Sequence, residues 1–261
     1  MKSKPFIFGL LAILLASCGP NRPTAAPKEI TVFAAASLTD AFNELAETFE
    51  AQHDGVRILL NFAGSSQLAA QLREGAVADL FASANPAQMQ TAVEAGRIAA
   101  GSETLFVANQ LTLIVPVDNP AGIVALEDLA QPGVQLILAV EGVPVRQYSD
   151  DIVASLPAEF QSRIYGNLVS EEDNVRQIVA KIALGEADAG LVYTSDVTPD
   201  IASQVQKIPI PAAQNVVASY LIAPLADAPS PELAQAFIAF VLSDEGQAIL
   251  GKWGFDPPRL N

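Results

Sequence analysis

Four stretches of the sequence combine residue types that could hold an anion. Ser37 follows an apolar run and has Asp40 three residues on, the form of a capping box. Gly64-Ser65-Ser66 stands at a second such junction, Val143-Pro144-Val145 at a third, and Glu172-Asp173-Asn174-Val175 at a fourth. Each opens a helix-patterned segment. The first turn of a helix carries N–H groups without intrahelical partners and the positive end of the helix dipole. Four such starts aimed at one centre make an uncharged cage for an anion. Taken singly, Ser, Asp and Asn at these positions are also ordinary caps, worth about 1 kcal/mol each. Spacing alone leaves both readings open.

Other chemistries find little material. The chain holds one histidine and one cysteine, His53 and Cys18. A Cys/His zinc site lacks its ligands, and no disulfide forms within one chain. A Ser-His-Asp triad would have to use His53, which sits in the turn-like Gln52-His53-Asp54-Gly55. No G-x-G-x-x-G follows the first strand, and no G-x-x-x-x-G-K-[ST] loop occurs. Lys and Arg total 14 against 29 Asp and Glu, a formal charge of −15. That balance argues against nucleic acid, which demands a basic face.

The elements that must position these residues alternate strand with helix. At 261 residues and 51% hydrophobic, the chain can bury one large core or two smaller ones. Strands are expected at 29–36, 56–62, 79–83, 110–117, 135–140, 167–169, 190–193, 207–210 and 216–222. Helices are expected from Leu38, whose face is completed by Phe42, Leu45 and Phe49, then over 68–74, from Pro86 to near Gly96, at 126–130, 148–156, 175–184, and in one stretch over 231–250. Val175, Ile178, Val179 and Ile182 share one side of their helix. Such alternation argues an α/β fold with mostly parallel sheet, in one sheet or two.

The N-terminus reads as an export signal. Lys2 and Lys4 precede an apolar run from Phe6 to Ala16, too short to span a bilayer comfortably. The run ends Leu15-Ala16-Ser17-Cys18, which resembles the lipobox of bacterial lipoproteins, where cleavage precedes an acylated cysteine. Residues 1–17 are then the signal peptide, and 18–28, rich in Pro and small residues, the lipidated cysteine and tether. Loss of two lysines leaves 12 basic against 29 acidic residues, formally −17.

Six segments taken together resemble the periplasmic molybdate-binding proteins of ABC importers: ITVFAAASLTDAF (30–42), NFAGSSQLAAQ (61–71), ADLFASAN (78–85), VPVRQY (143–148), EDNVRQIVAKIALGEADAGLVYTSD (172–196) and KWGF (252–255). The resemblance spans nearly all of the mature chain in matching order. It implies a two-lobe periplasmic-binding-protein fold of type II. Each lobe would be a mixed, mostly parallel sheet flanked by helices, with hinge crossovers between lobes. Lobe one would comprise 29–109 and 216–261, and lobe two 110–215.

It further implies that molybdate or tungstate is held without metal, cofactor or countercharge. The donors would be the hydroxyls and amides of Ser37 and Ser65, the amides of Val145 and Val175, and the Tyr193 hydroxyl. The family usually carries a small residue where this chain has Arg146, which could add a ligand contact, latch the lobes through a carboxylate, or face solvent or form a surface ion pair. The implied protein is a monomer on a lipid anchor at the outer face of the cytoplasmic membrane, delivering its anion to a permease. The alternatives are a binder of sulfate, an enzyme on the same two lobes, which lacks a catalytic constellation, and a surface adhesin, which would close on no small ligand.

Overall fold

The computed structural model describes residues 28–258. The signal segment 1–17, Cys18 and the tether as far as residue 27 lie outside the described residues. Lys28, assigned to the tether by composition, is already in a strand, and its amide donates to Gly55 O at 2.8 Å.

The first half of the chain builds a sheet buried on both faces. Strand β1 (Lys28–Ala35) runs parallel to β2 (Val56–Ala63) and β3 (Leu80–Ser83). Alternate residues of β1 serve different layers, as a period of two requires. Ile30, Val32 and Ala34 join the cluster containing Phe42, Leu45 and Phe49 of α1 (Thr39–Gln52). Phe33 joins the cluster under α2 (Ser65–Arg73) and α3 (Pro86–Glu94), with Leu68, Leu72 and Met89. Burial on both sides explains why these strands read as continuous apolar runs.

Strand β4 (Thr104–Pro116) carries the chain from one lobe to the other. Its residues from Thr104 to Gln110 pair antiparallel with β9 (Val217–Pro224), which pairs in turn with β3. From Leu111 onward it pairs instead with β7 (Ala189–Tyr193) and β8 (Val205–Pro209). At the switch, the Asn215 side chain satisfies Leu111, accepting from its amide at 3.3 Å and donating to its carbonyl at 2.8 Å. A side-chain amide thus replaces the strand partner that β9 no longer supplies. The second lobe continues through β5 (Leu136–Ala139) and β6 (Leu168–Glu172), parallel to one another, with β5 parallel to β7. Helices α4 (Pro144–Ala154), α5 (Ala158–Gly166) and α6 (Val175–Ala183) belong to this lobe.

The strand order is β2-β1-β3-β9-β4-β7-β5-β6, with β8 on β4. The two-lobe α/β fold is therefore as expected, but antiparallel pairing is more prominent than the pattern suggested. Pairings through β4 and β9 are antiparallel, while those among β1, β2, β3 and among β5, β6, β7 are parallel.

Three elements differ from expectation. Helix α5 was not anticipated, because Ile164 is its one fully buried residue and its apolar stripe is faint. Strand β4 starts six residues earlier than the alternation suggested. The last helical stretch is two helices, α7 (Pro231–Leu242) and α8 (Asp244–Lys252), bent by 64°. Ser243 is extended there, and its Oγ accepts from the Gly246 amide, capping α8. No single helix among the described residues is long and apolar enough to cross a membrane.

Candidate functional site

Ser37, Ser65, Val145, Val175 and Tyr193, scattered over 157 positions of sequence, line one cavity between the lobes. Ala35, Ala36, Gly64, Ala84, Val143, Pro144 and Asn174 complete its wall, and no charged side chain is among them. Its free volume is about 10 Å³, far below the roughly 300–1,000 Å³ typical of drug-sized ligands. A cofactor or sugar is too large; a small ion is not.

The donors come from four helix starts, and their capping is distinctive. The short 3-10 turn Ala36–Leu38, which carries Ser37, has no side-chain cap. Helix α2 begins after Gly64, which has no side chain to offer, and α4 begins after Val143 without a side-chain cap. Pro144 at the first position of α4 lacks an N–H, so Val145 carries its first free amide. Helix α6 is capped by Asn174, but that carboxamide accepts from Arg176 at 3.0 Å and Gln177 at 3.3 Å, not from Val175. Amides at helix starts need partners, and these four starts open on one cavity.

The hydroxyls follow the same logic. Ser65 Oγ accepts from the Ala84 amide at 3.1 Å, which leaves its own hydrogen to donate. Tyr193 ends β7 and is 1% exposed; its hydroxyl faces that of Tyr220 but makes no hydrogen bond of good geometry. An unpaired buried hydroxyl costs about 1–3 kcal/mol, so a ligand that accepts from it recovers that cost. Burial holds the Tyr193 phenol well above its ordinary pKa, so it remains a neutral donor.

Two expectations are corrected. Ser37 and Asp40 form no capping box. Ser37 Oγ is instead 2.9 Å from Tyr220 Oη, and Asp40 pairs with Arg176 at 2.6 Å. Arg146 neither lines the cavity nor latches the lobes. One residue along a helix turns a side chain by about 100°, so beside Val145 it points away, toward β5 and β6. Its Nε donates to Asp150 at 2.9 Å, and its Nη1 to Ala139 O at 3.0 Å and to Glu171, all within the second lobe.

Several contacts escaped the sequence reading. Arg176 of α6 joins Asp40 of α1 across the cleft and lies 3.1 Å from fully buried Asp196. Asn85 Nδ2 donates to Gln147 at 2.9 Å, and Gln88 Nε2 to Gly142 O at 2.9 Å, also from lobe to lobe. Gly64 approaches so closely that a Cβ there would lie 2.6 Å from Asp173 O. These partners are far apart in sequence and carry no spacing signal. Among the described residues, no group of three or more metal-ligating side chains comes together.

The model of one family, described as bacterial extracellular solute-binding protein, matches residues 30–256. The chain is 38% identical to the molybdate-binding protein ModA of Mycobacterium tuberculosis (strain ATCC 25618 / H37Rv), over 98% of each chain. It is 30% identical to the putative ABC transporter substrate-binding lipoprotein YvgL of Bacillus subtilis (strain 168), over 96% of each. The solved substrate-binding domain of a putative molybdenum ABC transporter from Clostridium difficile superposes with a TM-score of 0.66 and 26% identity, covering 88% of this chain and 99% of that one.

Proposed function

Because the chain belongs to the bacterial extracellular solute-binding proteins, we propose that it is the capture component of an ABC importer for molybdate or tungstate. The observation that carries this reading is the buried Tyr193 hydroxyl, without a hydrogen bond of good geometry in a cavity walled by four helix starts and no charged side chain. Ser37 and Ser65 give hydroxyl and amide donors from lobe one. Val145, Val175 and Tyr193 give donors from lobe two. A doubly charged acceptor shared by both sets favours the closed form, because only there do all donors reach it. Charge-assisted hydrogen bonds are about twice as strong as neutral ones, so neutral donors suffice in a chain of net charge −15. The family match and the molybdate-binding relative speak for transport rather than catalysis.

Lobe one comprises 29–109 and 216–261 and lobe two 110–215. The change of partner within β4 at Gln110/Leu111 supports the first crossing, and the Asn215 bridge to Leu111 supports the second. The protein acts as a monomer, held outside the cytoplasmic membrane by acylated Cys18 and docking on a permease. The YvgL likeness supports the anchor. Cys18→Ser is expected to release the protein from the membrane fraction, and retention at the membrane would refute that part. Isothermal titration of the full chain with molybdate, tungstate and sulfate tests the ligand. Heat from molybdate and tungstate is expected; heat from sulfate alone would overturn the assignment.

A further inference from the structure

Tyr220 stands behind the cavity wall and touches it through Ser37. It lies on β9, is fully buried, and has its hydroxyl 2.9 Å from Ser37 Oγ. Its ring is held edge-on by Tyr193 at 5.7 Å, Phe106 at 6.4 Å and Phe255 at 5.5 Å. Such packing fixes where its hydroxyl sits.

Two hydroxyls in contact can share hydrogens in two ways. If Ser37 donates to Tyr220, Ser37 turns lone pairs toward the cavity and repels an anion. If Tyr220 donates to Ser37, the serine hydrogen is free to point into the cavity. Burial keeps water from the phenol, so its hydrogen must go to a protein acceptor. Asn109 and Tyr193 also face that hydroxyl, but the Asn109 oxygen already accepts from the Gln110 amide and the Tyr193 hydroxyl makes no bond of good geometry, whereas Ser37 Oγ is 2.9 Å away.

We propose that Tyr220 is a positioning residue for oxyanion capture: its buried O–H donates to Ser37 Oγ and thereby turns the Ser37 hydroxyl into a dedicated donor to the ligand. This rests on the oxyanion reading above. The relay from Tyr220 through Ser37 to the anion is cooperative, since each bond polarises the next. Tyr193 donates to the anion directly, so the two edge-on tyrosines serve it by different routes, one by contact and one through a serine.

A double-mutant cycle on the full chain, read by titration with sodium molybdate, tests the relay. Tyr220→Phe keeps the ring and removes the donor. It should weaken molybdate binding roughly tenfold, the loss of a bond of about 1.4 kcal/mol, with the ligand-free melting temperature nearly kept. On the Ser37→Ala background the same change should weaken binding by less than about twofold, because the relay has no serine to act through. Multiplying effects, or wild-type affinity in Tyr220→Phe, would overturn the proposal while the oxyanion reading stands. Absence of molybdate, tungstate and sulfate binding in the wild type would overturn both. Should Tyr220→Phe not fold, 3-fluorotyrosine at position 220 retains the packing and strengthens the donor. Affinity at or above wild type is then expected, and a tenfold loss would refute the relay.

Discussion

Gly64→Ala isolates cleft closure from folding. The Gly64 backbone sits at φ −59° and ψ 137°, open to any residue, so the substitution strains no dihedral. The obstacle lies across the cleft, where the new Cβ would be 2.6 Å from Asp173 O, against ordinary contact beginning near 3.4 Å. Relief requires the lobes to part by about 0.8 Å at that point. A hydrogen bond of about 2.8 Å stretched by that amount reaches about 3.6 Å, where it no longer counts as one. In the proposed site, Val145, Val175 and Tyr193 all donate from the lobe that must retreat. Loss of a single bond to a charged acceptor, about 1.5–3 kcal/mol, implies molybdate binding weaker by roughly 10- to 150-fold. The ligand-free protein should lose at most about 1 kcal/mol, the cost of alanine at a helix N-cap. Titration calorimetry gives the dissociation constant, and small-angle scattering shows whether saturating molybdate still compacts the molecule. An unchanged dissociation constant with normal compaction would refute the closure argument.

Ser37→Ala combined with Tyr193→Phe should abolish measurable oxyanion binding while the circular dichroism spectrum stays native; tight binding in that variant would show that these donors are not the site. Arg146→Gly should leave the molybdate dissociation constant within about twofold. It should lower stability by about 1–3 kcal/mol through a lost ion-pair network and a helix-interior glycine, and a large affinity change in titration would place Arg146 at the ligand after all. Burial pushes the Asp196 carboxyl up to about 6, against the pull of Arg176 and the Tyr193 amide. The folded chain therefore holds that proton more tightly than the unfolded one, so the group's contribution to stability is complete below about pH 4 and fades as pH rises through 6. Relative to wild type, Asp196→Asn should gain in melting temperature between pH 4.5 and 7; a flat or opposite difference would contradict the direction.

The helix faces were legible because burial imposes a period that sequence displays: Leu38, Phe42, Leu45 and Phe49 are all buried, as are Val175, Ile178, Val179 and Ile182. Helix α5, with one fully buried residue, left no such trace. The bend at Ser243 was missed because apolar periodicity runs through it.

By itself the sequence determined the alternation of strand and helix, the acidic charge, and the four helix starts, three of them carrying polar residues. These follow from local propensity and composition, which neighbouring residues settle among themselves. Tertiary structure alone decided that the four starts share one cavity, that Ser37 answers to Tyr220 183 positions away, and that Arg176 reaches Asp40 across the cleft. It also decided that Arg146, one residue from a cavity amide, faces the other way. An anion site built from neutral donors depends on where N–H and O–H groups point, and that direction is set by packing between elements remote in the chain.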